Sequence, residues 1–87
     1  MPSKYEPLEL HLKSVPAATS EVTLTFKQVD SILGTPLPRS AYVHREWWSN
    51  QTDVDSRPQA RAWTKARFVV DAVNQATASG WVVFRRR

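Results

Sequence analysis

The residues with chemistry to offer crowd into one stretch, Pro38 to Trp63, which reads PRSAYVHREWWSNQTDVDSRPQARAW. It holds three of the four tryptophans, His44 (one of two histidines) and four of the eight arginines, Arg39, Arg45, Arg57 and Arg61. Guanidinium forks suit phosphate oxygens and guanine edges, and the Asn50 amide is the group that reads an adenine edge with two hydrogen bonds. Ser40 adds a hydroxyl able to contact phosphate or cap a helix. Trp47 and Trp48 bring two flat apolar rings, each with one N–H to satisfy. Either both are packing residues, one in the core and one over the next helix, or one is a stacking platform for a base or an anchor for a partner protein. His44 and Asn50 have the same two readings: contacts to a base, or internal hydrogen bonds that hold the loop.

Further cations extend this set. Arg57, Gln59, Arg61 and Lys65 fall on one short helix that starts near the loop. Arg57 and Arg61 are four apart and repel unless an anion lies between them. A helix N-terminus adds its own attraction for phosphate. The alternative for this helix is a solvated face. Arg85, Arg86 and Arg87 form a terminal basic run, either solvated or gripping nucleic-acid backbone as a wing would.

Other chemistries lack their parts. There is no cysteine, Gly34 and Gly80 stand alone, and no Gly-x-Ser-x-Gly or His-Glu-x-x-His motif occurs. Asp53 and Asp55 share a loop with nothing to complete a catalytic set. His11 and His44 have no second ligand at metal spacing. A non-enzyme without metal or cofactor is expected.

Charge supports a polyanionic partner. The net charge is +4, unevenly spread. Residues 1–35 carry three lysines against four carboxylates, whereas residues 36–87 carry nine basic side chains, every arginine among them, against four carboxylates. Such asymmetry favours a polyanion; solubility is the plainer explanation. No apolar run approaches the roughly 18 residues of a membrane span. The N-terminus MPSKYEPLEL lacks the apolar centre of a secretory signal. A cytoplasmic protein is expected.

The elements that must position these residues are short. Eighty-seven residues make one domain, expected over 5–87 behind a disordered 1–4. Pro7 opens a helix over roughly 6–14, with Tyr5, Leu8 and Leu12 on one stripe and a Glu9–Lys13 pair. Glu21 to Phe26 alternates as a strand. Thr25 and Gln28 then form a capping box for a helix with Phe26, Val29 and Leu33 inward, stopped at Gly34. After Pro38 the spacing fits a short helix or turn that gives way to extended chain near Trp47. Ser49 to Asp55 is a polar loop. Ser56, Arg57, Pro58 and Gln59 form a second capping box for a helix over roughly 57–66, Ala60 and Trp63 inward. Arg67–Val73 and Gly80–Arg86 are β-rich and predict a closing antiparallel hairpin.

This order predicts a small α+β domain. It resembles a winged helix in outline, although the 57–66 helix and the Trp-Trp loop sit outside that template. The pattern Tyr5-x-Pro7-Leu8, Leu24-x-Phe26, Ile32-Leu33-Gly34, Leu37-Pro38-x-Ser40-Ala41, His44-Arg45-x-Trp47-Trp48-x-Asn50, Gln59-Ala60-x-Ala62-Trp63 and Phe84-x-Arg86 is similar to a small bacterial and phage domain family of uncharacterised function. The likeness spans nearly the whole chain. It implies a shared site and no particular reaction. The chain departs from it in a longer, Ala-rich hairpin turn, Gln75 to Ser79.

The expected function is nucleic-acid binding, to duplex DNA first. Arg39, Ser40, His44, Arg45, Asn50, Arg57, Gln59, Arg61 and Lys65 would supply the surface, Trp47 or Trp48 a stacking or wedging ring, and Arg85 and Arg86 a backbone grip. The alternative is a protein-binding module, an inhibitor or adaptor of phage type, with the Trp47–Trp48 face as its hot spot and the arginines as its rim.

Overall fold

Local chemistry accounts for the first three elements. In a computed structural model of the chain, which describes residues 4–50, 58–76 and 79–87, α1 spans Glu6–Lys13. Pro7 sits in its first turn, where a missing N–H leaves no bond unmade. Tyr5, Leu8 and Leu12 are buried together. Glu9 and Lys13 pair at 2.6 Å on the outer side. Of the expected loose segment, residues 1–3 lie outside the described residues, as do residues 51–57 with the second capping box.

β1 (Glu21–Thr25) runs directly into α2 (Phe26–Leu33). Thr25 makes the join. Its backbone is extended, its hydroxyl accepts the Gln28 N–H at 3.0 Å, and Gln28 Oε1 accepts the Thr25 N–H at 2.8 Å. Gly34 ends α2 in the left-handed conformation, φ 75°. The Asp30 carboxylate then accepts the Leu37 N–H at 2.7 Å, which seats Leu37 in the core.

Past Pro38 the structure departs from expectation. α3 (Ser40–Val43) is one turn long, and a 3-10 turn, Arg45–Trp48, follows where extended chain was expected. His44, between the two, is extended, and its carbonyl accepts the Trp47 N–H at 3.1 Å. In a 3-10 turn neighbouring side chains stand about 120° apart rather than on opposite faces. Both tryptophans can therefore turn toward the protein, and the rings gain more from burial than the chain loses by tightening.

α4 (Pro58–Lys65) buries Ala60, Ala62 and Trp63. β2 (Phe68–Asn74) and β3 (Trp81–Arg86) form the closing hairpin, each strand within a residue of its expected bounds. β3 is central: Val70 faces Phe84 on one side, and Val22 faces Phe84 on the other, in an antiparallel sheet of order β1-β3-β2. A bulge at Asp71, between Val70 and Ala72, interrupts the β2 ladder. The described residues thus form a small α+β domain of four α-helices and one three-stranded sheet, with Leu24, Phe68, Val82 and Phe84 buried beneath the helices.

The hairpin closes against α2 at Gly80. Its carbonyl accepts the Phe26 N–H at 2.9 Å. A Cβ at this position would stand 2.6 Å from the Phe26 ring and 2.7 Å from the Ala76 carbonyl. Phe26 is held between Tyr42 and Trp48 and cannot yield. Gly80→Ala is expected to destabilise the fold by about 2 kcal/mol, the usual cost of overpacking. In thermal unfolding that is a drop of about 10 °C for a chain of this size.

Candidate functional site

The expected site residues divide into a set that faces inward and a set that faces water. Trp48 leads the first. It is 2% exposed, stacked on Phe26 (5.2 Å between ring centroids, 13° between planes) and on Trp63 (5.8 Å, 21°). Its Nε1–H donates to the Ala41 carbonyl at 2.9 Å. With both ring faces covered, Trp48 offers no platform to a base. Trp47 is half-buried, edge-on to Trp48 at 4.7 Å and to Tyr5 at 5.9 Å. The Trp-Trp motif is thus the middle of an aromatic ladder that continues through Trp63 to Phe84.

Asn50 and Gln59 also work within the protein. The Asn50 amide clamps the free edge of β2: Oδ1 accepts the Val70 N–H at 2.8 Å, and Nδ2 donates to the Val70 carbonyl at 3.2 Å. The same Oδ1 accepts the Trp63 indole N–H at 3.0 Å. The donor and acceptor pair that would read adenine is matched here to one residue of a strand edge. Gln59 is buried, and its Nε2 donates to the Trp47 carbonyl at 3.0 Å, tying α4 to the 3-10 turn.

The terminal arginines do not lie where a wing would hold them. The hairpin turn joins Asn74 to Trp81, whereas Arg85 and Arg86 sit at the opposite end of β3. Arg85 Nε meets the Asp71 carboxylate at 3.2 Å, using the residue the bulge turns outward. The Arg86 guanidinium donates to the carbonyls of Val15, Pro16 and Thr19, and lies over the Phe68 ring at 4.7 Å. It fastens the connector after α1 to the sheet.

The outward set is polar throughout. Arg39, His44, Arg45, Arg61 and Lys65 are exposed, Ser40 is half-buried, and Arg57 lies outside the described residues. His44 Nδ1 and the Glu46 carboxylate stand 3.7 Å apart, both well solvated. Arg45 borders an open groove of about 450 Å³ along β2, whose other walls include Glu46 and Asp71. That groove is mixed in charge. Beside α2, burial and then the Asp30 carboxylate hold the Tyr42 phenol above its ordinary pKa.

Among the described residues, one end of α4 is basic. Arg61 and Lys65 lie one turn apart on its outer side. Just past the helix, Arg67, Arg87 and Thr64 line an open notch of about 350 Å³. Arg67 was not singled out by its sequence. A signal was present, however: α4 meets β2 through Ala66-Arg67 with no glycine, so a side-chain-bearing residue had to take the left-handed turn.

Among the described residues, no group of three or more His, Cys, Asp or Glu side chains is placed to hold a metal ion, and no helix is long and apolar enough to cross a membrane. Comparison with curated proteins and with solved structures gives no match. A family model does match, and over residues 5–87, which takes in the aromatic ladder, the Asn50 clamp and the basic end of α4 alike: the chain belongs to the family described as Domain of unknown function (DUF7662).

Proposed function

We propose that the chain is a nucleic-acid-binding module of winged-helix type that presents α4 to duplex DNA. The observation that carries this reading is the basic end of α4, where Arg61 and Lys65 are exposed on the helix and Arg67 and Arg87 line a notch just beyond it. The element order supports it. Helix, strand, two helices packed on α1, then a hairpin whose second strand pairs with β1 is the ordering of a winged helix. On this reading α2 and α4 are the paired helices, and α3 with the 3-10 turn fills the connection between them. α4 is then the recognition element rather than an addition. The β2–β3 hairpin takes the place of the wing. A cytoplasmic setting goes with this partner.

The interface is built from Arg39, Arg45, Arg61, Lys65, Arg67 and Arg87; Trp48, Asn50, Gln59 and Arg86 instead make hydrogen bonds or ring contacts within the fold. The same geometry weighs against a protein-binding hot spot on the tryptophan pair, because Trp48 has no open face.

The test is fluorescence-anisotropy titration of a labelled random duplex at low and moderate salt, with the matching single strand beside it. Micromolar, salt-steep binding that favours duplex is expected, since each phosphate contact contributes about 0.9 to the slope of log K against log salt. Lys65→Gln is expected to weaken binding evenly across sequences, lower that slope by about one and leave the melting temperature unchanged. No binding at low salt would sink the proposal.

A further inference from the structure

Arg67 is in a conformation that its neighbours avoid. Among the described residues it is the one non-glycine with positive φ, at 66°, almost matching Gly34 at 75°. Both sit just after a helix, at the position where glycine is usual because a Cβ is strained there. The backbone explains the conformation. Arg67 N–H donates to the Thr64 carbonyl at 3.0 Å, and its own carbonyl accepts the Arg87 N–H at 2.8 Å, so the turn must both close α4 and start the β2–β3 ladder. The backbone does not explain the residue type. The Arg67 side chain is exposed and has no ion pair or hydrogen bond among the described residues. Strain kept without a local gain is the mark of a position held for something else.

The surroundings indicate what that is. Arg67 and Arg87 line the same notch, and no Asp or Glu side chain is among its walls. Thr64 supplies a wall only, because its hydroxyl proton is given to the Ala60 carbonyl at 2.9 Å. Two guanidinium groups offer up to ten N–H donors in planar forks, the arrangement that grips a tetrahedral oxyanion by paired bonds. A single cation near the end of α4 would answer the helix dipole. Two arginines lining one open notch exceed that need.

The geometry points to a phosphate seat formed by Arg67 and Arg87, which would take one backbone phosphate of a nucleic acid lying along α4. For its ligand this rests on the nucleic-acid reading above. The seat trades stability for binding, and that trade makes it testable with Arg67→Gly. Replacing the strained arginine by glycine is expected to raise the melting temperature by about 2–5 °C. The same variant is expected to lose about tenfold in duplex affinity at low salt and about one unit of salt slope. Arg67→Lys keeps a charge at the helix end but not the fork, and is expected to fall well short of wild-type affinity.

Titration with inorganic phosphate, followed by NMR at the arginine Nε–H groups, tests the seat without DNA. Shifts at Arg67 and Arg87 in the wild type, and their loss at Arg87 in Arg67→Gly, are expected. Wild-type duplex affinity and slope in Arg67→Gly would overturn the seat and leave the nucleic-acid reading standing. So would Arg67→Lys binding as tightly as wild type, which would make Arg67 a counterion to the helix dipole. Phosphate shifts in a protein that binds no duplex would keep the seat and remove the nucleic-acid reading.

Discussion

Trp63→Ala is expected to leave the chain without a cooperative fold at 25 °C. Trp63 is fully buried at the point where α4, the 3-10 turn and the sheet meet. Its ring lies 5.8 Å from Trp48, 5.6 Å from Phe84 and 6.5 Å from Trp47. Removing an indole from a closed core costs about 3–5 kcal/mol through lost transfer energy and the cavity left behind. The Asn50 carboxamide loses a partner as well. A domain of this length has about 4–13 kcal/mol in total, with small cores toward the low end. The loss is therefore comparable to the whole. Urea unfolding followed by near-ultraviolet circular dichroism is the measurement. The wild type should show one sigmoid and Trp63→Ala none. Trp63→Phe keeps most of the ring and gives up the N–H, and is expected to fold with a lower midpoint. A Trp63→Ala protein that melts like the wild type would refute the central place given to this ring.

The features that were legible in the sequence are those decided within a few residues. The Thr25–Gln28 capping box, Gly34 at the end of α2, and the stripe of Tyr5, Leu8 and Leu12 each depend on spacing along one element, and each is found as expected. The stretch from Ala41 to Trp48 depends instead on distant partners. Phe26, Trp63 and Gln59 come to it from α2 and α4, and they decide that Trp47 and Trp48 fold into a 3-10 turn rather than extend. Side-chain chemistry left two readings open. An amide or a guanidinium satisfies a base edge, a phosphate or a backbone carbonyl with the same atoms, and in the structure those of Asn50 and Arg86 bond within the fold. Arg67 carried no motif at all, since its significance lies in a backbone angle.

Asn50 shows where stability and binding can be separated. Asn50→Ala removes three hydrogen bonds: two to the Val70 backbone, at 2.8 and 3.2 Å, and one from the Trp63 indole at 3.0 Å. The Val70 groups lie at an exposed strand edge, where water takes over much of the loss. The indole N–H belongs to a buried ring and is not so readily rehydrated. An unpartnered buried donor costs about 1–3 kcal/mol and each exposed bond rather less than one, so a loss of about 2–3 kcal/mol is expected. Part of it should be shared with Trp63. In the background of Trp63→Phe, which has no indole donor to orphan, Asn50→Ala should cost about 1 kcal/mol less, and a double-mutant cycle in urea reads that difference directly. Duplex affinity, measured well below the melting temperature, should be unchanged by Asn50→Ala. The opposite pattern, wild-type stability with weakened duplex binding, would mean that the amide faces nucleic acid and that the clamp on β2 does not hold the fold.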